Sequence, residues 1–139
     1  MPTLTRWFVK SSLIFLMAAL LAGFLLAAQP VLDLPVFIST LSPVYFHLFL
    51  VGWVTQLIFG VVFWMFPKFS MEQPRGNEGL GWAIFVLLNL GLLMRVIGEP
   101  MKATRPATGW SWLLVASALL QWLAGMGFIA NTWWRVKEK

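Results

Sequence analysis

The chain has 139 residues, of which 60% are hydrophobic and 11% are charged. Because soluble domains are only about 45–50% apolar, this composition excludes an ordinary soluble domain and indicates an integral membrane protein. The lack of cysteine excludes disulfides, thiolate metal sites and cysteine nucleophiles. The net charge of +5 does not predict a nucleic-acid partner, because the basic residues are scattered at helix ends rather than gathered on one face.

Four apolar runs follow one another along the chain, at 11–28, 44–66, 80–97 and 110–134. Each is close to the length of about 20 residues that an α-helix needs to cross a bilayer. Every proline lies outside these runs, which favours four separate helices. The first run resembles a secretory signal peptide, and we expect it to be retained as a span. The sequence therefore predicts an all-α, integral membrane four-helix unit that forms a single transmembrane domain over residues 1–139.

The basic residues outside the runs predict the orientation. The side that holds both termini carries seven of them: Arg6, Lys10, Lys68, Arg75, Arg135, Lys137 and Lys139. The other side carries only Arg95, Lys102 and Arg105. The connection 29–43 contains Asp33 and no Lys or Arg, which suits a non-cytoplasmic loop. Because cytoplasmic loops are enriched in Lys and Arg, both termini are predicted to be cytoplasmic.

Rows of small and polar residues mark faces that avoid lipid. They are Ala19, Gly23 and Ala27 in the first run, Gly52, Gln56 and Gly60 in the second, and Ser117, Gln121 and Gly125 in the fourth. Small residues allow close helix packing, and one small bundle would not cover all three rows. We therefore expect a homo-oligomer with these rows at its interfaces. The amides of Asn89 and Asn131 also need partners, and interhelical hydrogen bonds explain them better than a transport path does.

His47 is the only histidine and lies in the first turn of the second run. An ionisable side chain in a span is costly and usually pairs or binds a ligand. A neutral imidazole would suit haem iron or copper, and the competing interpretation is a hydrogen bond to a backbone carbonyl or a neighbouring helix. A zinc site is disfavoured, because one histidine without cysteine cannot supply the usual ligands. Catalytic triads, phosphate loops and carboxylate pairs are also missing.

A second group of polar residues is predicted at about the depth of His47. Arg95, Glu99, Lys102 and Arg105 lie around the end of the third run. The basic side chains are suited to the carboxylates of a membrane haem. The alternative is an Arg95–Glu99 pair at i,i+4 spacing with interfacial placement of the other cations.

Short motifs resemble a known family. The string His47-Leu-Phe-Leu-Val-Gly52-Trp53, with Gly60 and the closing Phe66-Pro67, resembles the second span of small four-span relatives of haem–copper oxidase subunit I. That group includes the nitric-oxide-response membrane haem proteins. Further similar strings are Arg95-Val-Ile-Gly-Glu99-Pro100, Ser117-Ala-Leu-Leu-Gln121 and Asn131-Thr-Trp-Trp-Arg135-Val, so the likeness covers most of the chain.

The resemblance implies a fold and a site. The larger oxidases arrange twelve helices as three four-helix arcs, so this chain would match one third of that fold. Their metal-binding histidines concentrate on the second helix of each arc, which makes His47 the expected haem and metal ligand. Arg95, Lys102 and Arg105 would then meet the haem propionates. Many small relatives carry His-x-His, but this chain has Tyr45-Phe-His47, which argues against a haem–copper centre and oxygen reduction.

The first hypothesis is therefore a homotrimeric haem protein, of unknown haem type, in the prokaryotic cytoplasmic (inner) membrane. Its role would be electron transfer or haem or gas binding rather than turnover on its own. The alternative is a non-catalytic structural subunit of a respiratory or photosynthetic complex, with respiratory-chain subunits as partners. A small transporter is the weaker third hypothesis, because no run contains a carboxylate.

Overall fold

The computed structural model describes residues 1–72 and 74–136, and its regular structure over those residues is entirely helical. The predicted cations Lys137 and Lys139 lie outside the described residues. Four segments are long and apolar enough to cross a membrane: Thr3–Leu32, Val36–Met65, Glu78–Thr104 and Thr108–Arg135. The prediction of an all-α unit with four spans is thus confirmed. Which end of the bundle faces the cytoplasm stays a prediction.

The helices are longer than the apolar runs from which they were predicted. Helix α1 covers Thr3–Leu32 and includes Pro30, and α4 covers Glu78–Thr104 and includes Pro100. Helix α5 covers Thr108–Thr132 and continues into a short 3₁₀ turn at Trp133–Arg135. Polar residues and prolines near a helix end lower the mean hydropathy of the segment, so the apolar run ends early. They do not break the backbone hydrogen bonds of the helix, which therefore continues beyond the run.

The second span consists of four helical segments of three kinds. It begins with a 3₁₀ helix at Val36–Leu41 and continues as α2 at Ser42–His47. A π-helical stretch follows at Leu48–Thr55, and α3 completes the span at Gln56–Met65. The Thr55 hydroxyl donates a hydrogen bond of 2.8 Å to the Leu50 carbonyl, five residues back. Much of the predicted connection 29–43 is thus helical, and the π-helical stretch departs from the regular helix expected there.

The small residues of the first two spans pack inside the chain. Helix α1 lies along the second span, and Ala19 is fully buried there. A Cβ atom on Gly60 would lie 2.7 Å from Phe8 Cβ. A Cβ atom on Gly52 would lie 2.8 Å from Phe15 Cβ. The expectation of contact with other protomers is therefore wrong for Ala19, Gly52 and Gly60, because neighbouring helices of the same chain already occupy the space.

The row of Ser117, Gln121 and Gly125 on the fourth span is only partly covered by the same chain. Helix α5 packs along α4, where buried Ser117 donates a hydrogen bond of 2.6 Å to the Gly91 carbonyl. A Cβ atom on Gly125 would meet nothing within 4 Å. The Gly125 end of this row is thus open on the surface of the bundle.

The intramembrane amides are paired between helices, as expected. Gln56 is fully buried in the second span and its Nε2 donates to Ser11 Oγ of α1 and, at 3.3 Å, to Asn89 Oδ1 of α4. Near the other end of the bundle, Asn131 Oδ1 accepts a hydrogen bond of 3.1 Å from the backbone N–H of Asn77. These bonds tie three spans together at mid-depth and join α5 to the loop before α4.

Large apolar side chains cover the outward faces. Examples on three spans are Met17, Phe24, Ile58 and Trp122, each more than half exposed on the bundle. Such a surface is unfavourable in water and matches the hydrocarbon of a bilayer. The structure therefore agrees with a multi-pass membrane protein in a lipid bilayer.

Candidate functional site

His47 lies at the junction where α2 changes into the π-helical stretch. Its Nδ1 is 2.9 Å from the Pro43 carbonyl oxygen, four residues earlier. Because a carbonyl can only accept a hydrogen bond, this contact places the ring proton on Nδ1 and the lone pair on Nε2. The side chain is 30% exposed, so the ring is accessible from the surface of the bundle. The carbonyl hydrogen bond predicted as the competing interpretation is thus present, and it leaves the second nitrogen available.

Glu99 connects His47 to Arg95. Its Oε1 accepts a hydrogen bond of 2.8 Å from Arg95 Nη1 and lies 3.7 Å from His47 Nδ1. The carboxylate is only 9% exposed and the arginine side chain 18%. We call these three residues the His47 cluster. The cluster joins the second span to α4, and it contains the i,i+4 pair that the sequence offered as the alternative role of Arg95.

Two atoms of the His47 cluster lack partners. Arg95 Nε and Glu99 Oε2 are buried and have no hydrogen-bond partner among the residues that the structure describes. Buried polar atoms are nearly always hydrogen-bonded, so a small polar group or water at this position would satisfy both atoms. Glu99 was not among the predicted site residues. Its spacing of four residues from Arg95 indicated the ion pair with Arg95. The contact with His47 depends on how the two spans pack, which the sequence does not indicate.

The other two predicted site residues lie further along α4. Lys102 is in the last turn of α4, and Arg105 is the first residue after this helix. Both are exposed. Neither has an ion pair within the described part of the chain. Lys102 is seven residues from Arg95, which places both on one face of α4, about two turns apart. The fold thus brings Arg95 to His47, whereas Lys102 and Arg105 remain available as charges at the end of the bundle.

The donor set at this site is sparse. Across residues 1–72 and 74–136, no three His, Asp or Glu side chains lie together as a metal ion would require. One imidazole nitrogen still suits haem, because the porphyrin itself supplies the equatorial ligands and a single histidine can serve as the axial ligand. The Nδ1 of His47 is hydrogen-bonded to Pro43, so its Nε2 can serve as such a ligand. Lys102 and Arg105 have no ion pair among the described residues and could contact the carboxylates of a porphyrin. The residues present therefore fit a haem better than a bare metal ion.

Comparison with known proteins gives one match. The model of the family described as Cytochrome C and Quinol oxidase polypeptide I matches residues 1–104. The matched part includes the whole His47 cluster and Lys102, and it ends one residue before Arg105. The chain matches no curated protein and no solved structure.

Proposed function

This chain belongs to the family of cytochrome c and quinol oxidase polypeptide I, and we propose that it binds haem through His47. Its role would be electron transfer or haem or gas binding rather than catalytic turnover by this chain alone. The observation that carries the proposal is the imidazole of His47. Its Nδ1 is held by the Pro43 carbonyl at 2.9 Å and its Nε2 is left with a lone pair on an accessible face.

The neighbours of His47 would tune it as a ligand. Metal-ligating histidines almost always donate their other ring N–H to a carbonyl or carboxylate, which fixes the ring and raises its basicity. Here the Pro43 carbonyl takes that hydrogen bond and the Glu99 carboxylate lies 3.7 Å from the same nitrogen. Arg95 in turn holds Glu99 in place and neutralises its charge. A bound haem would supply one-electron redox chemistry or a gas-binding iron.

The basic residues divide their roles in this proposal. Arg95 is committed to Glu99, so the contacts to haem propionates fall mainly to Lys102 and Arg105. His47 is partly exposed beside Phe46 and Leu50, which are both more than half exposed. A planar ligand on this face would extend beyond one bundle, which supports an assembly in which a second copy of the chain covers the other side.

A visible absorption spectrum tests the proposal most directly. The detergent-purified protein, expressed with adequate haem supply, should show a Soret band and release haem into alkaline pyridine. A protein with no such band after haem reconstitution would refute the proposal. It would favour instead the role of a structural subunit. The Arg95–Glu99 ion pair and the His47–Pro43 hydrogen bond would then be the whole role of these residues.

The propionate contacts give a separate prediction. Replacing both Lys102 and Arg105 with glutamine should lower haem occupancy or shift the midpoint potential, because two charge-assisted contacts are lost. Replacing Arg95 and Arg105 together should remove the Arg105 contact and also free the Glu99 carboxylate beside His47. Redox titration and the haem-to-protein ratio measure both effects. The matched control is Arg6→Gln with Lys10→Gln at the opposite end of the bundle, and an equal shift in that control would contradict the assignment.

The oligomer gives another prediction. We propose a closed ring of identical chains, most simply a trimer, with the open Gly125 face of α5 at the contact. Gly125→Leu should then dissociate the ring while each chain stays folded, because the new side chain meets nothing within its own bundle. Native mass spectrometry measures the change. A monomeric wild-type protein would count against the ring, and so would an unchanged assembly in the Gly125 variant.

A further inference from the structure

Arg135 is buried at the end of the bundle that holds the N-terminus. The residue is 1% exposed, although it is the last residue of the fourth span. Nε donates to the Pro67 carbonyl at 3.1 Å, and Nη2 donates to the carbonyls of Phe63 at 3.2 Å and Phe66 at 2.9 Å. The last carbonyls of a helix have no partner within the helix, and here one guanidinium satisfies three carbonyls at and just after the end of the second span. Arg135 thus joins the ends of the second and fourth spans.

The positive charge of Arg135 is not neutralised by the described residues. Its three partners are neutral carbonyls, and Nη1 is buried without a hydrogen-bond partner. Another cation, Arg75, repels it. The adjoining loop carries two exposed carboxylates: Glu78, which pairs with Arg75 at 3.2 Å, and Glu72, and neither forms an ion pair with Arg135 among the described residues. A buried cation without a counter-charge is costly, so an anion nearby would stabilise this end of the bundle.

A cavity lies directly beside Arg135. Its volume is about 340 Å³. It is lined by three cations and four apolar residues: Lys68, Arg75, Arg135, Trp64, Phe66, Met71 and Pro74. No carboxylate is among these lining residues. The cavity therefore combines a concentrated positive charge with an apolar wall.

The apolar wall distinguishes a lipid from a free anion. Trp64 is 47% exposed near the end of the second span, and Met71 is 90% exposed in the following loop. Tryptophan at this depth is typical of the membrane interface, where headgroups lie above acyl chains. A free phosphate would use the cations only, whereas a phospholipid would use the cations and the apolar wall together.

We propose that this cavity binds a phosphate group, supplied by the headgroup of an anionic phospholipid. Lys68 and Arg75 contact the phosphate oxygens, and Arg135 provides a fixed positive charge beneath them. Trp64 and Met71 lie against the upper part of the acyl chains. Basic clusters at the membrane boundary recognise anionic headgroups in this way. The lipid would then complete a structural link between the second and fourth spans that the protein makes with carbonyls alone.

Native mass spectrometry of the full chain tests the site. Wild-type protein in detergent should retain phosphatidylglycerol in preference to phosphatidylcholine with the same acyl chains. Lys68→Gln with Arg75→Gln should weaken phosphatidylglycerol binding about 25-fold, or about fivefold for Lys68→Gln alone, since each cation near a membrane surface contributes on the order of 1 kcal/mol. Arg135 is kept in these variants because its loss would also remove the cap on the second span.

Two controls decide the outcome. The variant with Arg6→Gln and Lys10→Gln removes two cations at the same end of the bundle, beside Trp7, and should bind phosphatidylglycerol as the wild type does. An equal loss in that control would mean general surface attraction and would overturn the site. Displacement of phosphatidylglycerol by inorganic phosphate would show a free-anion site and overturn the lipid assignment, as would equal retention of phosphatidylcholine. None of these outcomes depends on whether haem is bound.

Discussion

Replacing His47 with alanine is expected to abolish or convert the haem spectrum while the four-span protein still inserts into the membrane. The protein would lose the histidine nitrogen proposed to hold the haem, whereas insertion depends on the apolar spans and not on one polar residue. The measurement is the absorption spectrum and haem-to-protein ratio of the purified variant, together with its elution as a folded, monodisperse species.

A matched change separates ligation from packing at this site. Ile58→Ala removes an exposed side chain of the same span about three turns from His47, and it should leave the spectrum largely intact. If His47 only makes its hydrogen bond to Pro43, the alanine variant should lose roughly 0.6–2 kcal/mol of packing and keep any chromophore. A normal spectrum in the His47 variant would therefore return this residue to a structural role.

Gly60→Leu is expected to destabilise the bundle strongly. A Cβ atom at this position would already lie 2.7 Å from Phe8 Cβ, and Phe8 is 2% exposed and packed edge-on against Phe85. Neither backbone can move away without disturbing the contact between α1 and the second span. Overpacking of this kind costs about 1–3 kcal/mol and occasionally more. Thermal unfolding in detergent, followed by loss of the monodisperse peak, measures the effect.

The control for this prediction is the same change at an open position. A Cβ atom on Gly109, near the start of α5, would meet nothing within 4 Å. Gly109→Leu should therefore leave the unfolding midpoint close to that of the wild type. Equal stability of the two leucine variants would show that the contact between Gly60 and Phe8 does not limit how closely α1 approaches the second span.

The sequence allowed the spans and the place of His47 to be predicted, because hydropathy reports the transfer of a segment into lipid regardless of its neighbours. An interhelical partner for Asn89 was also foreseeable, since an intramembrane amide must find one, although Gln56 was not identified as that partner. Both inferences use one segment or one residue at a time. They need no knowledge of helix rotation.

Features that depend on rotation and register were missed. The rows on the first two spans were assigned to other protomers, yet Gly52 and Gly60 face α1 of the same chain. Glu99 was not placed beside His47, because the approach of two spans is not encoded in the hydropathy of either. Arg135 was interpreted as a topology signal, and its charge does contribute to that pattern. Nothing in the local sequence indicated that it would turn inward to cap the second span.

The π-helical stretch at Leu48–Thr55 separates the two ends of the second span. A π-helix turns the chain less per residue than an α-helix, because each hydrogen bond closes a wider ring. The angle between His47 and the buried face of Gln56 is therefore fixed by how much this stretch is underwound. Deleting one residue within it would restore regular winding and rotate α3 relative to His47. The direction of His47 at one end and the packing face of Gln56 at the other are thus set relative to each other by this single segment.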